Sequence, residues 1–320
     1  MSFAAAMLIA LAIDAALGWP DRLYRRIGHP VTWAGRLIAG LDQRLNRAGD
    51  SPARRRALGV LAALGVIGLA AGIGAAVQAA IQATLPGGWG GTVLAGVMAW
   101  PLLAARSMHD HVRAVAVPLA AGDVAGARVA VSMIVGRDPA QLDTPAIARA
   151  ATESLAENTS DGIVAPLFWG LVLGLPGIAA YKAINTLDSM IGHRTERHEA
   201  FGWAAARIDD LANLLPARLT GLLFALTSAR PRAALACMLR DAQNHRSPNA
   251  GWPEAAVAGA LGIRLSGPRI YAGKITPEPW LNAGAPDPAA ADLSRALALY
   301  RRALLALAAC VLLLALVSGW

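Results

Sequence analysis

Between Ala57 and Leu85 the chain runs without a single charged residue. That stretch exceeds the roughly 20 apolar residues an α-helix needs to cross a bilayer. It belongs at the centre of a large core or inside a membrane, and the rest of the chain decides for the membrane. Of the 320 residues 56% are apolar and 16% charged, against about 45–50% and about 25% in soluble domains. Aromatic residues make up only 5%, and there are 32 glycines. The apolar excess is therefore Ala, Leu, Val, Ile and Gly, the small-residue mixture of helices that pack in lipid. Intrinsic disorder is excluded, because it requires low hydrophobicity and dense charge.

Further spans are expected at about residues 2–17, 89–105 and 303–320. Residues 162–181 and 211–228 read as re-entrant or membrane-embedded segments, the first broken at Gly174-Leu175-Pro176-Gly177. Gly68 and Gly72 form a GxxxG spacing that predicts a close helical neighbour. Arg22, Arg25 and Arg26, Arg54 to Arg56, Arg106, and Arg301 and Arg302 all flank apolar runs. The positive-inside rule places these ends in the cytoplasm. The net charge of +8 is thus read as membrane anchoring and not as a nucleic-acid surface, which would interleave its basic stripe with aromatics. Cys237 and Cys310 build neither a disulfide framework nor a CxxC zinc motif. Met1–Ala12 lacks the positive start of a secretory signal and reads as a retained helix. The expected fold is all-α: one polytopic integral membrane domain over residues 1–320, with a cytoplasmic-facing helical catalytic region.

Acidic residues are rare and unevenly placed. Ten of the 21 lie between Asp138 and Asp210. Thr144-Pro145 reads as a helix start, and Glu153 and Glu157 sit i,i+4 on that helix, with Asp161 continuing the row if the helix persists. Such a row suits a solvated face balanced by Arg149, or a set of oxygen ligands for Mg²⁺, which favours carboxylates together with substrate phosphates. Lys182, Asn185 and Asp188 follow at intervals of three, and Asn213 lies three after Asp210, so neighbours in each set share a helix edge. Polar groups beside membrane helices usually face a cavity or the bundle interior. His109 and His111, two apart, point in different directions on a helix and form no metal pair. No GxxxxGK[ST], GxGxxG or GxSxG is present.

Glu153-Ser154-Leu155-Ala156-Glu157-Asn158-Thr159-Ser160-Asp161-Gly162 with Pro166-Leu167-Phe168 resembles the signature of the CobD/CbiB family of cobalamin biosynthesis proteins. Tyr181 to Met190, Phe201-Gly202-Trp203 through Asn213, His29-Pro30, Gly136-Arg137-Asp138 and Ser247 to Glu254 continue the resemblance in one order along most of the chain. His193 and His198 depart from the family pattern and receive no catalytic role from it. The resemblance implies an inner-membrane enzyme with its active site on the cytoplasmic side. That enzyme would use ATP and a divalent cation, Mg²⁺, to join adenosylcobyric acid to (R)-1-amino-2-propanol phosphate, as adenosylcobinamide-phosphate synthase. Other cobalamin-biosynthesis enzymes and the lipid bilayer would be its partners, and nucleic acid would not.

Under that resemblance Glu153, Glu157, Asp161, Lys182 and Asp188 are the expected catalytic residues. Glu157, Asp161, Asp188, Asp209 and Asp210 are the expected metal ligands. His29, Arg137, Asp138, Asn158, Asn185, Asn213, Asn249 and Glu254 would bind substrate. Two other classes compete. A corrinoid transporter would carry its acids at mid-span, whereas these lie between apolar runs. A non-catalytic membrane scaffold or sensory protein would leave the dense polar signature without a use.

Overall fold

A computed structural model describes residues 1–86, 88–135, 142–271 and 274–317. The helices are α1 (Phe3–Leu17), α2 (Asp21–Ile27), α3 (Pro30–Leu45), α4 (Pro52–Thr84), α5 (Trp89–Ala99), α6 (Ala105–Ala120), α7 (Val124–Ser132) and α8 (Thr144–Thr159). They continue as α9 (Ala165–Leu173), α10 (Leu175–Leu187), α11 (Trp203–Ala212), α12 (Leu214–Thr227), α13 (Pro231–Asp241), α14 (Gly251–Leu261) and α15 (Ala290–Val317). The all-α expectation holds for the bulk of the chain. The additions are two short antiparallel pairs, β1 (Leu265–Ser266) with β4 (Trp280–Leu281), and β2 (Arg269–Tyr271) with β3 (Lys274–Thr276). Leu265 pairs with Leu281 and Ser266 with Trp280.

Among the described residues two helices, α4 and α15, are long and apolar enough to cross a membrane. Both exceed their expected spans. Ser51 caps α4 by accepting the Arg54 N–H, so the helix starts before its arginines. The helix around 303–320 begins at Ala290 and runs through Arg295, Arg301 and Arg302; residues 318–320 lie outside the described residues. The expected span at 2–17 is α1, which passes the length test only together with Asp21–Leu45, from which it is bent by 108°. The span expected at 89–105 is shorter than foreseen. α5 has 11 residues and gives way to a 3₁₀ turn at Trp100-Pro101-Leu102. Pro101 removes a helix donor and clashes with the preceding turn. At 1.5 Å per residue α5 covers about 16 Å, about half the hydrocarbon thickness.

The chain sorts into two compact units. In the first (residues 1–104, 165–213 and 311–320), α4 packs along α10 and α11. Two glycines permit this. A Cβ at Gly74 would lie 2.6 Å from the Leu175 carbonyl oxygen, and one at Gly59 would collide with the Phe201 carbonyl. The GxxxG pair is not used this way, since a Cβ at Gly68 or Gly72 would meet nothing within 4 Å. The apolar segment expected at 162–181 breaks as foreseen, between α9 and α10, where Gly174 takes a φ of 72°. Ile38, Ala63, Val66, Leu187, Ile191 and Phe201 fill the core beside that packing.

The second unit holds residues 105–164 and 214–310. Its centre is α14, whose small side chains are buried on every face except at Trp252. α12 and α13 pack on it. A Cβ at Gly259 would lie 2.6 Å from the Ala233 carbonyl. The segment expected at 211–228 forms α12, an apolar helix of 14 residues. Asp287 receives hydrogen bonds from Arg149 and Arg264, and both guanidiniums lie over the Trp280 ring, at 4.8 and 4.2 Å from its centroid. That clasp ties α8 to the β1–β4 segment.

Candidate active site

The second unit presents its polar residues from α8 and the start of α14. Asp143 caps α8 by accepting the Ala146 N–H, one residue earlier than the Thr144 start read from the sequence. Glu153 is buried, and its Oε1 accepts the Ser266 N–H at 2.7 Å. Ser266 holds a φ of 61°, a left-handed conformation costing a non-glycine residue on the order of 1 kcal/mol, and the carboxylate bond helps to hold it there. Glu157, one turn on, is exposed. The expected row of three acids does not persist, because the helix widens into a π turn over Ser160–Val164. Each extra residue in such a turn shifts everything after it, so Asp161 leaves the α-helical register and sits half-buried on the π turn. Asn158 donates to the Ser154 carbonyl at 2.9 Å and to its hydroxyl at 3.2 Å. Ser154 in turn donates to the Ile134 carbonyl.

Asn249 is oriented by Arg218, which donates to its Oδ1 at 2.9 Å while its guanidinium lies 4.5 Å over the Trp252 ring. Glu254 is buried opposite His245, carboxylate to Nε2 3.7 Å. His245 Nδ1 accepts the Ser247 N–H.

In the first unit, Lys182, Asn185 and Asp188 lie along α10 and at its end, where a second π turn runs from Asp188 to Gly192. Burial pushes the Asp188 carboxyl above the usual carboxylate range, with His193 opposing and the Asp210 charge adding to the rise. Asp210 is also raised, by burial, against Arg207. The Asp210 charge thus reaches Asp188, while Arg207 pairs with Asp210 at 3.3 Å. Asp209 belongs to a different set: Asn213 donates to it at 2.9 Å, and the Tyr181 hydroxyl donates to Asn213 at 2.8 Å. That buried chain fixes α11 to α10. His29 caps α3, its Nδ1 accepting the Val31 N–H. Burial and the nearby Lys182 ammonium lower its pKa. A neutral His29 is therefore a donor through Nε2–H, not a base at Nδ1.

The structure thus brings together Asp188 with Asp210, His29 with Lys182, and Asp209 with Asn213 in one unit. In the other it pairs Glu254 with His245 and Asn249 with Arg218, and it turns Glu153 inward to Ser266. Arg137 and Asp138 lie outside the described residues. Among the described residues no three His, Cys, Asp or Glu side chains converge to hold a metal ion by themselves. Mg²⁺ commonly takes only one or two carboxylates and completes its shell with water and phosphate, so the Asp188–Asp210 pair has the oxygen chemistry such an ion uses. Tyr181, Arg218, His245 and Ser266 were not foreseen as site residues. Tyr181 stood inside a quoted motif; the other three reach their partners through tertiary contacts that no local spacing announces.

The sequence profile of the family described as CobD/Cbib protein matches residues 7–300. A protein of Rhodobacter capsulatus called "Cobalamin biosynthesis protein CobD" is 67% identical over 304 residues, 95% of each chain. One of Sinorhizobium sp, with the same name, is 46% identical over 318 residues, covering 97% of this chain and 98% of its own. One of Brucella suis, again with that name, is 49% identical over 300 residues, 91% of this chain and 90% of its own. No solved structure matches.

Proposed function

The chain belongs to the CobD/CbiB family, and from that premise we propose that it acts in cobalamin biosynthesis as an adenosylcobinamide-phosphate synthase. It would be an ATP-dependent ligase of the inner membrane, with its site on the cytoplasmic face. The reaction joins a propionate carboxylate of adenosylcobyric acid to the amine of (R)-1-amino-2-propanol phosphate. The carboxylate takes the γ-phosphoryl group of ATP, releasing ADP, and the amine then displaces phosphate from the acyl carbon and loses a proton. The structural observation that carries this reading is the Asp188–Asp210 pair, two carboxylates raised above their usual range outside the long apolar helices.

Asp188 and Asp210 of the first unit would hold Mg²⁺ together with water and phosphate oxygens; in the second unit Asp161, half-buried on its π turn, would be an oxygen ligand in its own right. When bound, the ion neutralises phosphate charge, which is the main demand of phosphoryl transfer. Lys182 would clamp phosphate oxygens as a fixed cation, and His29 would donate its Nε2–H to the same groups. Asn185 and Asn249 would orient substrate amides and phosphate. An acid deprotonated at working pH takes the amine proton, and Glu157, exposed on α8, is suited to that. Glu153 and Asn213, both committed to bonds within the protein, act by positioning. The test is formation of the amide product in membranes containing this chain, supplied with both substrates, ATP and Mg²⁺. Product that requires all four supports the proposal; its absence with a partner protein also supplied would favour a scaffold.

A further inference from the structure

We propose that α2 and α3 lie flat on the bilayer surface, with Trp33 and Leu37 set into the headgroup boundary and the neighbouring arginines binding anionic lipid headgroups. The proposal rests on the membrane reading of the long helices. The 108° bend between α1 and Asp21–Leu45 supplies the geometry. If α1 runs along the bilayer normal, the next helices run close to the membrane plane.

The faces of α3 agree. Ile38 is buried in the core with Ala63, Val66 and Leu187. Trp33 and Leu37, one turn apart, are 49% and 39% exposed, and Tyr24 and Ile27 of α2 are each 50% exposed. Around these exposed apolar groups stand Arg22, Arg25, Arg26 and Arg36, all exposed. The one acid of α3, Asp42, is turned away into an ion pair with Arg197 at 2.7 Å, with the His198 ring 3.5 Å from it. An outward face that combines aromatic, aliphatic and arginine side chains is the signature of a helix lying in the interface. The Trp33 indole N–H is satisfied by the Ile27 carbonyl at 2.9 Å, so the ring can enter the boundary without an orphan donor. Trp19 and Trp100 pack against each other at the end of α1, 5.4 Å between ring centroids, with Trp100 donating to the Gly18 carbonyl. Tryptophans gathered where a span ends mark an interface belt.

Two other occupants fit less well. Passing Asp21–Leu45 through hydrocarbon would carry Arg22, Arg25, Arg26, Arg36 and Arg44 with it, which membranes strongly disfavour. A second copy meeting this face about a twofold axis would set arginines against arginines.

The experiment uses the full chain in vesicles of phosphatidylcholine alone, or of phosphatidylcholine with phosphatidylglycerol. In a Cys237→Ala, Cys310→Ala background, a nitroxide is attached singly through Ile27→Cys, Leu37→Cys, Ala48→Cys in the loop after α3, or Leu64→Cys on exposed α4. Labels at 27 and 37 should collide more with oxygen than with a water-soluble nickel chelate, at a depth shallower than position 64, while position 48 reads as water. Phosphatidylglycerol should deepen and slow the label at 37. Replacing Arg22, Arg25 and Arg26 together by Gln should abolish that response while position 64 stays in the bilayer. Water-like readings at 27 and 37, depth equal to position 64, no response to phosphatidylglycerol, or spin–spin broadening that grows with protein density would each overturn the proposal. A water-like reading at position 64 would instead defeat the membrane reading beneath it.

Discussion

Ala156–Asp161 and Ala183–Asp188 share an A-x-N-T-x-D pattern, one in each unit. Both run into a π turn, Ser160–Val164 and Asp188–Gly192. In both, the threonine hydroxyl donates to the carbonyl four residues back, Thr159 to Leu155 and Thr186 to Lys182. Other threonines in this chain make the same bond without a π turn, Thr152 and Thr220 among them, so the hydroxyl alone does not widen the helix. What distinguishes the two segments is what surrounds the shared letters. Glu157 on one aligns with Ile184 on the other, and Leu155 aligns with Lys182. One segment thus carries two acids and an amide, while the other carries a cation, an amide and one acid. π turns recur at functional sites because they re-aim side chains that a regular helix would fix. The same backbone device thus carries two different sets of side chains.

The comparison breaks first at its acids. Glu157→Gln and Asp188→Asn should each lower ATP-dependent amide formation by about 100-fold or more, the scale on which charge stabilisation in a transition state is lost. The amount of protein in the membrane fraction should not change. Wild-type turnover in both variants would refute the acidic centre; loss in only one would show that a single motif carries the chemistry.

Glu153 sharpens the contrast, because its counterpart in the second motif is Ala180. Its bond to the Ser266 N–H is buried, so Glu153→Ala, which removes the acceptor, should cost about 1–3 kcal/mol of stability, read as a lower midpoint of thermal unfolding in detergent. The kcat of the protein that remains folded should be close to wild type. The asparagines come next. Asn158→Ala removes bonds to Ser154 and should act mainly on stability, by about 1 kcal/mol. Asn185→Ala should instead raise the KM for the phosphorylated amine about tenfold, the scale of one lost hydrogen bond to a charged group.

How much of this could be read from the letters follows from the same residues. The long uncharged run and the break at Gly174 were legible because lipid-compatible composition and glycine–proline punctuation are local signals. The acids stood out because charge is scarce. The role of Gly68 and Gly72 was misjudged because a GxxxG spacing names a face without naming what meets it; Gly59 and Gly74 are the glycines that face Phe201 and Leu175. α5 was read too long because the apolar run continues through Pro101, where the helix does not. Glu153 is expected as a catalytic residue, and its bond to Ser266 is not legible because that partner lies 113 residues away. The Arg218–Asn249 bond was likewise invisible, joining a helix to a loop that only the packed unit brings together.

The last effect is a shift along the pH axis, read at saturating Mg²⁺ because Asp210 is itself a proposed ligand. Burial raises the Asp188 carboxyl, the Asp210 charge raises it further, and His193 opposes. Asp210→Asn removes one raising influence, so Asp188 stays ionised to lower pH, and the acid limb of the rate profile should move to lower pH. The stability consequence has a definite sign. A raised native pKa means the native state holds its proton more tightly than the unfolded chain. The contribution of Asp188 is therefore favourable at low pH and is lost as pH rises from the unfolded pKa through the native one. Asp210→Asn should narrow that window, so acid should relieve less strain in the variant than in the wild type. An acid limb that stays in place or moves toward higher pH would refute Asp188 as the carboxylate whose ionisation limits the reaction.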